Sequence, residues 1–158
     1  MRKCLFFAVI FSVFGSLNAS ASLVAFHIVE TGIPENRQPY QYTGIWEDAF
    51  MNVFFDAGYI VSNAPVLRLE TKPSDDILNY VLNGNSEIRN FGIDYLLIAQ
   101  LDYNGDTRQP AEINLVIFRV ITNEKIYERK IEGKTYRSTR EGQADIETII
   151  RGLVSYIR

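Results

Sequence analysis

Ile93-Asp94-Tyr95-Leu96-Leu97-Ile98-Ala99-Gln100-Leu101 is the most apolar stretch beyond residue 21, and its reading decides the fold. A short, almost unbroken apolar run of this kind predicts a strand in the middle of a sheet. Upstream, Leu23 to Val29 has the same character and predicts a second strand covered on both faces. Downstream, Glu112 to Ile121 and Lys125 to Glu132 predict an antiparallel pair that turns at Thr122-Asn123-Glu124. The last of these carries Lys125, Glu128, Arg129, Lys130 and Glu132, the charge expected of a protected sheet edge.

Helical periodicity fills the gaps. Ile45, Trp46, Ala49, Phe50, Val53 and Phe54 recur on one helical face, with Thr43 as the predicted cap and Gly58 placed for a left-handed terminus. Tyr59 to Leu69 reads as a strand, although Pro65 removes a ladder donor and predicts an edge or a bulge. Ser74, followed by Asp75 and Asp76, predicts a helix start, with a break at Asn83-Gly84-Asn85 and a short segment capped by Ser86. Ser138-Thr139-Arg140-Glu141 matches a capping box ahead of Ile146, Ile149, Ile150, Leu153, Val154 and Ile157. The predicted order is β-α-β-α-β-β-β-α: an α/β (α+β) domain with a single mixed five-stranded sheet and about three helices.

Two elements carry a family resemblance. One is Phe91-Gly92-Ile93-Asp94-Tyr95 leading into its apolar strand; the other is the hairpin Phe118-Arg119-Val120-Ile121-Thr122-Asn123-Glu124-Lys125-Ile126. With the helix that holds Trp46 and ends at Gly58, they make the chain resemble the anticodon-binding-domain-like envelope proteins. These comprise the TolB amino-terminal domain, the curli secretion factor CsgG, the lipoprotein activators of penicillin-binding proteins, and FlgO. The resemblance implies a non-catalytic, protein-binding role in the cell envelope. It does not extend to lipid anchoring or pore formation, since no lipobox cysteine follows the first apolar run and no membrane-hairpin insertion is present.

The first 21 residues read as a secretion signal. Arg2 and Lys3 precede the apolar run from Cys4 to Gly15, and Ala19-Ser20-Ala21 gives a small-residue cleavage site. A membrane span would need ~20 apolar residues, and this run is shorter. The expected product is one domain over 22–158, located in the periplasm, without cysteine and so without a disulfide. Removing Arg2 and Lys3 leaves 14 basic against 19 acidic residues, a net charge of −5. That balance gives no electrostatic reason to bind nucleic acid or anionic lipid.

Catalytic patterns are not found. His27 is the only histidine and lies inside an apolar strand, so it reads as a structural residue rather than as a triad base or zinc ligand. Asp102-Tyr103-Asn104-Gly105-Asp106 begins like a calcium loop, but the sixth position is Thr107 and the twelfth is Ile113, so it reads as a turn. Glu47-Asp48 and Asp75-Asp76 complement helix dipoles. No phosphate loop, dinucleotide fingerprint or other cofactor motif occurs, and the chain is not expected to be an enzyme.

One feature points to binding. The Gly32–Tyr42 loop holds Ile33, Pro34, Pro39, Tyr40 and Tyr42 and leaves the carboxyl end of a predicted central strand, where open α/β sheets place their sites. Ile33, Tyr40 and Tyr42 are the candidate partner-binding residues, and the expected partner is another envelope or flagellar protein. A loop whose tyrosines only cover the core is the competing reading. The other functional expectation is a small-ligand pocket at the same place.

Overall fold

The computed structural model describes residues 21–33, 41–73, 77, 79, 81, 92–104 and 109–157. The elements are β1 (Leu23–Thr31), α1 (Gln41–Asp56), β2 (Ile60–Asn63), β3 (Leu67–Leu69), β4 (Tyr95–Asp102), β5 (Glu112–Arg119), β6 (Glu124–Glu132) and α2 (Thr139–Leu153). A 3₁₀ turn, Val154–Tyr156, follows. The expected signal segment up to Ser20 and the expected caps Ser74 and Ser86 lie outside the described residues, as does the expected break at Asn83-Gly84-Asn85. Helix is present at Ile77, Asn79 and Val81, within the predicted second helix.

The sheet is mixed, in the order β2-β1-β4-β5-β6, with β3 also on β1. β2, β3 and β4 run parallel to β1, whereas β5 and β6 continue antiparallel. The expected class therefore holds, with six strands instead of five; two helices have both ends among the described residues, beside the helical residues Ile77, Asn79 and Val81. The sixth strand arises where Tyr59–Leu69 was expected to be continuous. Asn63 pairs with Phe26 and Leu67 with Val29, so Ala64, Pro65 and Val66 stand opposite only His27 and Ile28. The extra residue is the bulge that proline requires in a ladder it cannot donate to.

The apolar runs predicted to be central are central. In β1, Val24 to Thr31 is buried throughout, and in β4 Leu96 to Leu101 is; Ile113 to Phe118 of β5, expected only as half of an antiparallel pair, is buried as well. Even-numbered β1 residues Val24, Phe26 and Ile28 join Leu97, Ala99, Leu101, Leu115 and Ile117 on a first face. There α1 supplies Trp46, Phe50 and Phe54, and α2 supplies Ile146, Ile150 and Leu153. Phe26, Phe50 and Phe54 form a ring stack at centroid distances of 5.1 and 6.3 Å. The opposite face carries Ala25, Val29, Leu96, Ile98, Val116 and Phe118, against which Val81 and Ile77 pack.

Helix ends follow their sequence signals in two places and depart from them in one. Gly58, at φ 89°, closes α1: its N–H donates to Phe55 O at 2.9 Å and that of Tyr59 to Phe54 O at 3.1 Å. This paired pattern satisfies the last carbonyls, and the Tyr59 ring packs edge-on against Phe54 at 5.8 Å. Ser138 Oγ accepts from Glu141 N–H at 3.2 Å, and Glu141 reaches back to the N–H of Arg137 at 3.0 Å, one residue before the expected recipient. Thr43, by contrast, is not a cap. α1 begins at Gln41, and Thr43 is buried in its first turn because it has a partner inside the protein.

Candidate functional site

The carboxyl ends of β1, β3 and β4 form a rim. β1 leads through α1 to β2 and β3 on one side, and the chain then crosses to β4 on the other. The β1/β4 boundary is therefore the topological switch point, where open sheets accommodate ligands. Here it is sutured: Tyr103 N–H donates to Thr31 O at 2.9 Å. Gly32, at φ 73°, lies so close to the β4 loop that a Cβ would meet Asn104 N at 2.9 Å. Only glycine fits both the dihedral and the approach.

Beneath the rim on the first face, Glu30 is fully buried. Its Oε2 accepts from Arg68 Nε of β3 at 2.7 Å, while Thr43 Oγ1 donates to its Oε1. The Tyr103 hydroxyl lies 3.3 Å from Thr43 Oγ1. Since the single Thr43 proton is given to Glu30, that contact places Tyr103 as donor. The cluster ties β1, β3, α1 and the β4 loop together, and every member is used. On the other face of the rim, Lys72 Nζ bridges Glu112 at 2.6 Å and Asp102 at 3.6 Å. The hydrogen bond between Lys72 and Glu112 holds the ammonium above and the carboxyl below their usual ranges. Asp102 also accepts from Asn104 N–H at 3.2 Å, consistent with the turn reading of this segment.

The structure describes two of the three candidate binding residues, Ile33 and Tyr42. Ile33 is a core residue, 2% exposed, and offers no surface of its own in the folded protein. Tyr40 lies outside the described residues. Tyr42 belongs to the first turn of α1, not to a loop, and is half-buried. Its ring stacks on Tyr136 at 6.1 Å, and its hydroxyl accepts from Gln109 Nε2 at 2.8 Å. Tyr136 in turn donates to Asp145 Oδ2 at 2.8 Å, and Lys134 flanks the same carboxylate at 3.0 Å. Burial, and then the neighbouring Asp145, push the Tyr136 phenol far above its usual range, so it remains a neutral donor. Gly142 makes the packing possible, because a Cβ there would lie 3.1 Å from Tyr136 and 3.4 Å from Tyr42.

Tyr136, Gln109 and Asp145 were not foreseen. The only trace of them in the sequence is Gly142, a glycine inside a strongly amphipathic helix, which signals close approach of another group. His27 is buried as expected, and desolvation pushes its imidazole down to about 4. Among the described residues, no group of three His, Cys, Asp or Glu side chains is disposed to hold a metal ion. No helix among them is long and apolar enough to cross a membrane.

A family model described as "Uncharacterised protein" matches residues 24–139. The chain belongs to that family. No curated protein matches it. Among solved structures, it is similar to the PelC dodecamer from Paraburkholderia phytofirmans, with 13% identity and a TM-score of 0.48 over 87% of this chain and 90% of that one. It is also similar to TolB from Acinetobacter baumannii, with 12% identity, a TM-score of 0.48, and coverage of 87% of this chain but 28% of TolB. For the LpoB C-terminal domain from Escherichia coli the identity is 15% and the TM-score 0.43, over 82% of this chain and 94% of the other.

Proposed function

We propose that this protein is a non-catalytic accessory factor of the cell envelope, exported to the periplasm, that binds another envelope or flagellar protein at the rim containing Tyr42. The supporting observation is the Tyr42–Tyr136 pair: two stacked rings, half-buried, each anchored through its hydroxyl. Fixed aromatic side chains with a polar tip bind partners at low entropic cost, because little side-chain freedom remains to be lost. Tyr40, two residues before Tyr42 in sequence, is a second contact residue in this reading, and Ile33 contributes from the buried core. The sequence resemblance to envelope proteins supports the compartment and the class of partner.

A ligand pocket at the switch point is the weaker reading. The Thr31–Tyr103 hydrogen bond and the Gly32–Asn104 approach occupy the place where a crevice would open.

The test is co-purification from the native envelope with mass spectrometry, comparing the parent with Tyr40→Ala/Tyr42→Ala well below the melting midpoint of either. Loss of a stacked contact worth ~1.4 kcal/mol lowers partner recovery about tenfold. Unchanged recovery of the same partners removes the rim from the interface.

A further inference from the structure

The second face of the sheet is not uniformly apolar. His27 and Thr31 of β1, Gln100 of β4 and Asn114 of β5 all point to it, and each is at least nine-tenths buried. Their positions are adjacent. Gln100 stands directly opposite Asn114 and beside Val29, so His27 and Thr31 are its diagonal neighbours. Strand spacing and rise put those diagonals about 8 Å apart at Cα.

Five buried polar atoms in this group have no partner: His27 Nδ1 and Nε2, Thr31 Oγ1, Gln100 Nε2 and Asn114 Oδ1. Gln100 Nε2 and Asn114 Oδ1 are a donor and an acceptor on facing residues, and they do not bond each other.

A buried polar atom without a partner costs ~1–3 kcal/mol, and five such costs would consume most of the ~5–15 kcal/mol stability of a small domain. Direct pairing among the four side chains is not formed, so something else must complete the set. It must be small, because the group lies under a packed apolar face. It must be neutral and both donate and accept, because the atoms comprise donors and acceptors and carry no charge near neutral pH.

We propose that His27, Thr31, Gln100 and Asn114 form an internal water-binding site on the second face of the sheet. A buried water makes about three hydrogen bonds, so five atoms require about two such molecules. The site fixes the His27 ring and the Gln100 amide through solvent rather than through side chains.

Oxygen-17 relaxation dispersion of the whole protein in solution counts waters held far longer than surface hydration. The expected result is about two such waters in the parent, lost in Gln100→Leu/Asn114→Leu, where apolar groups replace the amides. A crystal structure of the parent at high resolution provides an independent reading that needs no variant. Ordered oxygens within hydrogen-bond distance of Gln100 Nε2 and Asn114 Oδ1 support the proposal. Absence of long-lived water from the parent, or density showing the two amides bonded directly to each other, overturns it.

Discussion

The two faces of the sheet are built on the same three central strands, yet they treat polar side chains in opposite ways. On the face covered by α1 and α2, Glu30 is wholly buried and wholly used, by Arg68 and Thr43. On the other face, His27, Thr31 and Gln100 are just as buried, and atoms of each lack a partner. The first face combines ring stacking with a closed polar cluster, so its stability resides in contacts that single truncations remove. The second face holds its polar groups in a low-dielectric setting where charge is costly. It is therefore the face that responds to acid.

The largest effect that would break this contrast is on the first face. Trp46, 2% exposed and 6.2 Å from the Phe50 ring, should cost ~3–5 kcal/mol when changed to Ala, read by denaturant unfolding. A loss under about 1 kcal/mol would mean that the helices contribute little to the core. The next effect belongs to the second face. His27 binds its proton near pH 4 when folded, against the ordinary imidazole value of 6.5, so the unfolded chain takes up the proton first as pH falls. Stability from the neutral imidazole is complete above pH 6.5 and is lost on the way down to about 4, by ~3 kcal/mol in all. His27→Leu should flatten that window of the stability profile. An unchanged slope would assign the acid sensitivity to carboxylates. The smallest effect is at the edge of the first face, where Ser138→Ala removes the cap of α2 and should cost ~1 kcal/mol by thermal melting.

How far this architecture was legible depends on the range of the interaction. Gly58, Ser138 and Pro65 act on neighbours a few residues away, and each does what its chemistry predicts. The runs at β1 and β4 declare two-sided burial by composition alone. The polar cluster at the rim could not be read the same way. Thr43 has the composition of a cap and becomes a buried donor, because Glu30, thirteen positions upstream, is brought beneath it by the fold. Tyr42 looked like a loop residue for the same reason: Gln109, Tyr136 and Gly142 approach it only through tertiary structure. The alternation Ala25-His27-Val29-Thr31 was present in the sequence, but an apolar run covered on both faces conceals which side is which.

The interruption between β2 and β3 also bears on what happens when many copies of the chain are crowded together. At the far margin of the sheet, β6 is long and guards itself with Lys125, Glu128, Arg129, Lys130 and Glu132. The opposite margin has none of that charge in Ile60–Asn63, and Ile60 is exposed. A continuous margin of this kind, with Arg68 as its single charge and that charge turned to Glu30, would be a template for another chain to pair with and grow into aggregate. The proline bulge cuts it into pieces of four and three residues, each too short and too misaligned to start a ladder. Replacing Pro65 to straighten the margin would thus exchange a local irregularity for a tendency to precipitate.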